Sequence, residues 1–427
     1  MPRSVSPFSQ RLPATLALFA ATVLVALPAL PVSAAGPADS TWASLAAPAE
    51  RLGAPIFALA VSPLDARLVL VGTGDGSIYR SADGGGSWKQ VHRVGGHAVL
   101  VLAFDTYQPG VVLAGTRGAG AWRSADAGVT WTPQPGLEKA SPRTFGFTKS
   151  TALAGSDRGV FVARGAEPWQ PSGLGQLSVA ALAAVSVNEP SRLLAGGDRD
   201  DPGVALPLYQ SPDGGGTWTE VQGQSRAGTM VSALAAGAPQ KDVRTLLMGT
   251  NTGLYVSIDN GGTWSGPLSG GGTLPATDFN QLAFVRDRFD RFYVASDGGA
   301  SDRGGLWYTA DGGSHFTSLQ PPLPEVTALA VSNEDHPTLY VATLRPGDHG
   351  IFLWSYRDTG GQPKPPQGGV PALAGAAPSK AAAQATSGDW YLLLLRGPEA
   401  PYLAVGLLAG VALLVALVTY IRRGRRT

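Results

Sequence analysis

Residues 81–88 read SADGGGSW, and related octapeptides recur at 124–131 (SADAGVTW), 211–218 (SPDGGGTW), 257–264 (SIDNGGTW) and 309–316 (TADGGSHF). Every copy has serine or threonine first, aspartate third and an aromatic residue last. Self-similarity at such intervals is the signature of a repeat architecture, in which each unit buries its apolar face against its neighbours. The chain is therefore predicted to fold as several copies of one structural unit.

Short apolar runs precede each octapeptide. Residues 68–81, LVLVGTGDGSIYRS, show the arrangement, because two such runs flank a glycine-containing turn and the second leads into the octapeptide. A further small-residue run, FALAVSP, lies before them at 57–63. Runs of this length bounded by turn residues are typical of β-strands. With the segment after the octapeptide, each unit is predicted to hold four strands, so the fold class is all-β.

The pattern S-x-D-x-G-x-x-W resembles the Asp-box, or BNR repeat, which marks the blades of β-propellers in sialidases, sortilin-type receptors, xyloglucan-degrading glycosidases and photosystem II stability/assembly factor-like proteins. The resemblance implies a β-propeller over about residues 42–360. Physically, the aspartate can accept backbone N–H groups in a tight hairpin, glycine supplies positive φ, and the aromatic residue packs between blades. We expect such structural roles for Asp83, Trp88, Asp126, Trp131, Asp213, Trp218, Asp259, Trp264, Asp311 and Phe316.

The number of blades follows from the aromatic residue that ends each repeat. Trp169 marks a degenerate copy, in which Arg164 takes the place of the aspartate. A seventh unit begins at Val326, but no octapeptide follows Tyr356, so its fourth strand is missing. We expect the N-terminal strand around Trp42 to complete this last blade, because such closure removes exposed sheet edges. The prediction is seven blades, with six and eight as alternatives.

The first 34 residues have the features of a secretory signal peptide. Arginines at positions 3 and 11 precede an apolar stretch at 12–30, and Val32-Ser33-Ala34 supplies the small residues that signal peptidase reads. The alternative is an uncleaved membrane anchor. The propeller domain is then predicted to span residues 35–360.

A membrane anchor is predicted after the propeller. Residues 361–401 are rich in proline, alanine and glycine, which is typical of a disordered stalk. Residues 402–421 carry no charge and match the bilayer thickness as one transmembrane helix. The arginine-rich tail at 422–427 indicates a cytoplasmic C-terminus, which places the propeller on the extracytoplasmic side of the cell membrane. The alternative is a sorting tail that is later cleaved.

Composition excludes several classes of function. The chain has no cysteine, which rules out disulfides, thiol nucleophiles and cysteine-ligated zinc or iron–sulfur sites. With only five histidines, we expect no metal and no cofactor. Removing the six arginines near the two ends from the 32 basic residues leaves 26, against 31 acidic residues. This acidic balance argues against nucleic acid as a partner.

Candidate ligand-binding residues lie in the loops between second and third strands. In Asp-box propellers these loops and the blade connections share the face opposite the octapeptides, where related proteins bind ligands. We predict a polar funnel that recognises its ligand by charge-assisted hydrogen bonds, formed by Arg117, Asp157, Arg158, Asp198, Arg199, Asp297, Arg303, Arg345 and Asp348. The blade connections add His92, Arg93, His97, Glu138, Lys139, Arg143, Arg226 and Glu325. The alternatives are ordinary solvated loops and, at 198–201, a Ca²⁺ site without the spacing of a recognised calcium loop.

Two functions are consistent with these features. The first is a non-catalytic binding or assembly module, anchored in the membrane, for a protein or glycan on the extracytoplasmic side. The second is a membrane-tethered glycoside hydrolase, sialidase-like or xyloglucanase-like, that uses two loop carboxylates. The sequence assigns no catalytic residue, and it lacks the Arg-Ile-Pro segment of sialidases as well as GxSxG, HExxH and P-loop motifs. The first function is the preferred hypothesis.

Overall fold

The computed structural model shows an all-β fold in the part of the chain that it describes. The described residues are 40–48, 54–165, 167–185, 191–198, 206–221, 228–272, 274–275, 278–285, 287–298, 304–345, 350–366 and 369. The predicted signal peptide, the transmembrane helix at 402–421 and the tail at 422–427 lie outside these residues, as does most of the predicted stalk. Within them, no helix has the length and hydrophobicity needed to span a membrane.

Seven antiparallel sheets form the seven blades of a propeller, which confirms the predicted number. Blades 1 to 3 contain β2 (Ile56–Val61), β3 (Val69–Thr73), β4 (Ser77–Ser81), β5 (Lys89–Arg93), β6 (Val99–Phe104), β7 (Val112–Thr116), β8 (Ala121–Ser124), β9 (Thr132–Pro133), β10 (Pro142–Phe147), β11 (Thr151–Ser156), β12 (Gly159–Arg164) and β13 (Gln170–Pro171). Blades 4 to 6 contain β14 (Ser178–Ala184), β15 (Leu193–Asp198), β16 (Leu208–Ser211), β17 (Thr219–Glu220), β18 (Val231–Gln240), β19 (Val243–Thr250), β20 (Gly253–Ser257), β21 (Gln281–Phe284), β22 (Phe292–Ser296), β23 (Gly305–Thr309) and β24 (Thr317–Ser318). Blade 7 contains β25 (Glu325–Val331), β26 (Thr338–Leu344), β27 (Ile351–Arg357) and β1 (Trp42–Ser44).

The first strands of the blades line the centre of the ring. They pack against one another in sequence, and β2 of the first blade contacts β25 of the last. Second strands are buried on both faces between neighbouring blades, as in β3, β7 and β22. Some of these positions admit only glycine, since a Cβ on Gly72 would lie 2.4 Å from Val99 and one on Gly249 would lie 2.0 Å from the Phe279 carbonyl oxygen. Close approach of blades therefore accounts for the glycines of the second strands.

The N-terminal strand closes the ring, as predicted. β1 pairs antiparallel with β27, and Trp42 lies opposite Tyr356. The prediction that the strand around Trp42 completes blade 7 is confirmed. Backbone pairing also continues past the predicted propeller boundary at 360, because Trp42 N–H donates to the Lys364 carbonyl at 3.0 Å and Lys364 N–H donates to that of Ser40 at 2.9 Å.

Blade 5 departs from the predicted four strands. Among the described residues it has three strands, and only an isolated bridge between Val256 and Ser265 stands where a fourth would run. The segment continues with Gly266 and Pro267. Proline has no N–H to donate to a strand ladder, and the ladder is interrupted at these two residues before Leu268 N–H donates to the Leu254 carbonyl at 2.8 Å. A 3₁₀ helix (Gly270–Gly272) follows.

The octapeptides form closed hydrogen-bond networks between the third and fourth strands. In the first copy, Ser81 Oγ donates to Asp83 Oδ1 at 2.7 Å and accepts from Gly85 N–H at 2.8 Å. Ser87 donates to Asp83 through its backbone N–H at 2.9 Å and through its hydroxyl at 2.6 Å. Asp126, Asp213 and Asp259 receive the same pair of bonds, in each case from a threonine. Asp311 accepts the His315 N–H at 3.0 Å and lies 2.7 Å from the Nδ1 atom of the same histidine. Each carboxylate thus bridges the two ends of its own hairpin.

These networks make stability sensitive to acid. Hydrogen bonds from Thr130 lower the pKa of Asp126 from 3.8 to about 2, and those from Thr217 and then Ser211 lower the pKa of Asp213 to about 2. A depressed folded-state pKa contributes stability that is present above the ordinary value and is lost as pH falls towards 2. We expect the melting temperature to fall steeply between pH 4 and pH 2. The Asp126→Asn variant should show a lower melting temperature at pH 7 and a shallower fall in acid, and an unchanged slope would contradict this explanation.

Candidate functional site on the loop face

Strand direction gives the propeller two distinct faces. We call the face with the octapeptides and the first-to-second strand connections the box face, and the opposite face the loop face. On the loop face lie the second-to-third strand loops and the connections between blades. The predicted ligand-binding residues on this face that the structure describes are Arg117, Asp157, Arg158, Asp198, Asp297 and Arg345, whereas Arg199, Arg303 and Asp348 lie outside the described residues.

A hydrogen-bonded framework joins the loops of blades 2 and 3. Gly118 N–H, in the blade 2 loop, donates to Ser141 Oγ at 3.0 Å. Ser141 lies in the connection to blade 3 and donates to Asp157 through its N–H at 2.8 Å and through its hydroxyl at 3.0 Å. Both carboxylate oxygens of Asp157 are therefore used within the protein, and its contacts are those of a residue that holds the blade connection in place.

Four cations surround this framework. Each lies within two residues of Gly118, Ser141 or Asp157 in sequence and is exposed, and together they form the cationic patch: Arg117, Lys139, Arg143 and Arg158. Among the described residues none of the four has an ion-pair partner, whereas Arg93 on the same face contacts Asp75 at 3.6 Å. The backbone of the patch is fixed by the framework and by His97, whose Nδ1 lies 2.9 Å from the Arg117 carbonyl oxygen. The four cations thus stand on a fixed backbone, and the exposed carboxylate next to Lys139 in sequence, that of Glu138, accepts the Gly136 N–H at 3.1 and 3.0 Å.

Other residues in the second-to-third strand loops have local partners. Asn251 Oδ1 accepts the N–H groups of Thr229 and Met230 at 3.1 and 3.3 Å, so it holds the connection into blade 5 as Asp157 holds that into blade 3. The Arg345 guanidinium lies 4.6 Å from the centre of the Phe352 ring. Among the described candidates, hydrogen bonds link the loops of blades 2 and 3 through the framework.

Asp75, in the blade 1 loop, is also held locally. Burial acts to raise the pKa of its carboxyl, but hydrogen bonds from Thr73 and Ser77 and the charge of Arg93 lower the pKa overall. Its ion pair with Arg93 is exposed. Asp75 and Arg93 neutralise each other beside the cationic patch and do not extend it.

A carboxylate pair lies in blade 6, away from the patch. Burial and the negative charge of Asp297 raise the pKa of Asp278 above its ordinary value. Asp278 lies in the connection that precedes β21, and sequence analysis did not select it. The sequence signal that could have identified Asp278 was its position in a connection between two blades.

The central channel opens beside the cationic patch. The first strands of all seven blades contribute to a cavity of about 260 Å³, whose lining includes Arg143, Thr144, Ser232, Asn280 and Gln281. Among the described residues, this lining contains no carboxylate. No group of three or more His, Asp or Glu side chains in the described ranges is placed to hold a metal ion.

Comparisons with known proteins match the fold only. No protein-family profile matches the chain, and no curated protein matches its sequence. The structure of YCF48 bound to D1 peptide is similar with a TM-score of 0.52 and 15% identity over 74% of this chain and 96% of that one. The WD40 repeats of RRP9 match with a TM-score of 0.54 and 17% identity, over 76% of this chain and 99% of that one. The extracellular domain of BT3049 from B. thetaiotaomicron matches with a TM-score of 0.54 and 14% identity, over 74% of this chain and 41% of that one. At these identities the likeness shows that the chain has a β-propeller fold.

Proposed function

We propose that the protein is a non-catalytic binding module whose cationic patch recognises an acidic segment of a partner protein. The observation that carries this proposal is the patch itself, in which four exposed cations have no ion-pair partner among the described residues. Three of the four are arginines, whose planar guanidinium groups bind carboxylates through two parallel hydrogen bonds. An acidic partner would supply the missing counter-charges.

The surrounding charges favour this assignment. The chain outside its two ends has an acidic excess, so a local group of unpaired cations stands out against its own background. Complementary charge increases association rates and selects against partners of the wrong sign. Because the framework of Gly118, Ser141 and Asp157 fixes the backbone, binding orders side chains but not loops, which lowers its entropic cost.

A propeller of similar architecture has been solved with a peptide, namely YCF48 bound to D1 peptide. That structure supports the idea that such a ring can present a protein segment, while the charges of the present chain determine which kind of segment it would take. We further propose that the propeller acts outside the cytoplasm, after a signal peptide at 1–34, and is attached through a helix at 402–421. This part of the proposal rests on the sequence features of the two ends.

Reversal of charge in the patch is the direct test. We expect the double variant Arg117→Glu with Arg158→Glu to bind a blocked glutamate-rich peptide at least about tenfold more weakly than the unmodified full-length protein, because attraction becomes repulsion. Affinity measured by fluorescence anisotropy should also fall as salt rises. The matched control is Arg67→Glu with Lys89→Glu, which changes the net charge equally on the box face.

Equal loss of affinity in both double variants would contradict a specific patch, since only net charge would then matter. A glutamine isostere of the peptide should bind none of the proteins measurably. Equal binding of that isostere would likewise reject recognition by charge.

One observation favours the alternative of a glycoside hydrolase. Asp278 has a raised pKa beside a second carboxylate, Asp297, and a raised pKa suits a general acid that works with a second carboxyl group. Sugar release from sialoglycans or xyloglucan by the full-length protein, abolished by both Asp278→Asn and Asp297→Asn, would replace the binding proposal.

A further inference from the structure

The box face has a depression at blade 3. Both blade 3 connections on this face are short: residues 148–150 join β10 to β11 and 165–169 join β12 to β13, whereas 105–111 and 125–131 serve the equivalent positions in blade 2. Blade 3 also has the degenerate octapeptide with Arg164 in place of aspartate. Between blades 2 and 3 the shortened loops leave a cavity of about 370 Å³, which lies within the usual size range of ligand sites.

Arg123 in blade 2 lacks the contact that the equivalent arginine of blade 1 makes. Arg80, just before the first octapeptide, donates from Nε to the Ala127 carbonyl in the octapeptide of the next blade at 3.0 Å. Arg123 occupies the same position before the second octapeptide, but the next blade has no complete octapeptide to receive it. Arg123 lines the cavity, and its side chain has no ion-pair or hydrogen-bond partner in the described part of the chain.

A second cation stands on the opposite wall. Lys149 is exposed in the tight turn at 148–150 and lines the same cavity. Asp105 is the acidic residue of the lining, but it is buried, and its Oδ1 accepts the N–H groups of Tyr107 and Gln108 at 2.8 and 3.1 Å. Two cations therefore face one carboxylate that already has internal donors, and the cavity favours an anion.

An indole without a partner lies in the floor of the cavity. Trp169 is 2% exposed, and its Nε1 has no hydrogen-bond acceptor among the residues that the structure describes. The equivalent indoles of Trp131 and Trp218 donate to backbone carbonyls at 3.2 and 2.6 Å, whereas that of Trp264, like that of Trp169, has no acceptor among the described residues. Because Nε1 itself is buried, a ligand in the cavity can contact the ring of Trp169 but not its N–H. Trp169 and Phe147 also give the cavity an apolar wall.

We propose that this cavity is a second binding site, which takes a carboxylate next to an apolar side chain in a short segment of a partner protein. Arg123 and Lys149 bind the carboxylate, and Phe147 and Trp169 contact the apolar group. The residues Thr148, Ser150, Gln108 and Gln134 line the cavity as well, and polar side chains of these types suit the backbone groups of a peptide. The site lies on the box face, so it is independent of the cationic patch.

The test uses two isosteric probes and the full-length protein. We expect acetyl-Phe-Glu-amide, but not acetyl-Phe-Gln-amide, to shift the indole N–H resonance of Trp169 in a titration of protein with ¹⁵N-labelled tryptophan. Trp169→Phe assigns that resonance. Arg123→Gln should weaken binding about tenfold, as expected for loss of one charge-assisted contact, and Arg123→Lys should recover part of the affinity. Lys89→Ala, an exposed change in blade 1, is the matched control.

The outcomes separate clearly. A shift that requires the glutamate and is weakened by Arg123→Gln supports the site, and Lys149→Gln provides the same readout on an exposed turn if the Arg123 variant does not fold. Equal shifts with both probes, or no shift at millimolar peptide, would overturn the proposal. Because the readout is the Trp169 resonance, a negative result in this titration does not bear on the cationic patch. A negative result in the charge-reversal experiment likewise does not bear on this cavity.

Discussion

Replacement of Asp358 by alanine is expected to lower the free energy of unfolding by about 3–5 kcal/mol. Asp358 follows β27 and is only 1% exposed. Its Oδ2 accepts from Arg291 Nη2 at 2.9 Å and from the Tyr293 hydroxyl. Arg291 directly precedes β22 of blade 6, and Tyr293 lies within that strand. Burial and the negative charge of Asp358 raise the pKa of Tyr293, which stays a protonated donor. The three side chains thus join blades 6 and 7.

The expected loss of stability is large because alanine at position 358 would leave a buried arginine unpaired. Arg291 is 16% exposed as a side chain, so removal of Asp358 leaves a largely buried guanidinium without its counter-charge. The matched control is Asp290→Ala, which removes a pair between Asp290 and Arg288 at 2.9 Å with the arginine half exposed. Exposed pairs contribute below about 1 kcal/mol. Urea unfolding followed by tryptophan fluorescence measures the free energy of unfolding of both variants. Equal losses would show that the buried Asp358 pair stabilises the fold no more than an exposed pair does.

The contacts of Asp358 could not be predicted from local sequence patterns. Asp358 stands in the box position of blade 7, but Tyr356 replaces the serine two residues before it, so the octapeptide pattern is hidden. Its partner Arg291 lies in another blade, far away in sequence. Strand periodicity and turn residues are local signals and predict the blades. The partner of a buried charge is set by the way blades meet, which no local pattern contains.

The same limit applies to the candidate site. Asp157 and Arg158 are both predicted from the sequence to bind ligand. In the structure, Asp157 accepts two bonds from Ser141, whereas Arg158 has no ion-pair partner among the described residues. These two adjacent charged residues thus differ in whether they are free to bind a ligand, because the Asp157 side chain is hydrogen-bonded to the connection between blades 2 and 3.

A degenerate octapeptide carries structural information of its own. Arg164, in place of the aspartate, marks blade 3 as the blade at which the box face is open.

Replacement of Trp42 by alanine is the second large effect that we expect, with a loss of about 3–5 kcal/mol in the free energy of unfolding. Trp42 is 1% exposed and belongs to the apolar cluster between blades 6 and 7. Its indole N–H donates to the Leu319 carbonyl at 2.8 Å, and its ring centre lies 4.9 Å from that of Tyr356. Alanine would therefore remove a large buried volume and leave a buried carbonyl without its donor.

The location of Trp42 makes this variant a test of ring closure as well as of packing. β1 covers the edge of β27, and a loosened β1 would expose an unpaired strand edge that can associate with other chains. Trp218→Ala is the matched control, because Trp218 also donates its indole N–H to a backbone carbonyl, that of Ser172 at 2.6 Å, but does so between blades 3 and 4, away from β1. We expect Trp42→Ala to lower the unfolding midpoint more than Trp218→Ala and to increase light scattering on heating. Similar midpoints for the two variants would mean that the N-terminal strand does not hold the ring closed.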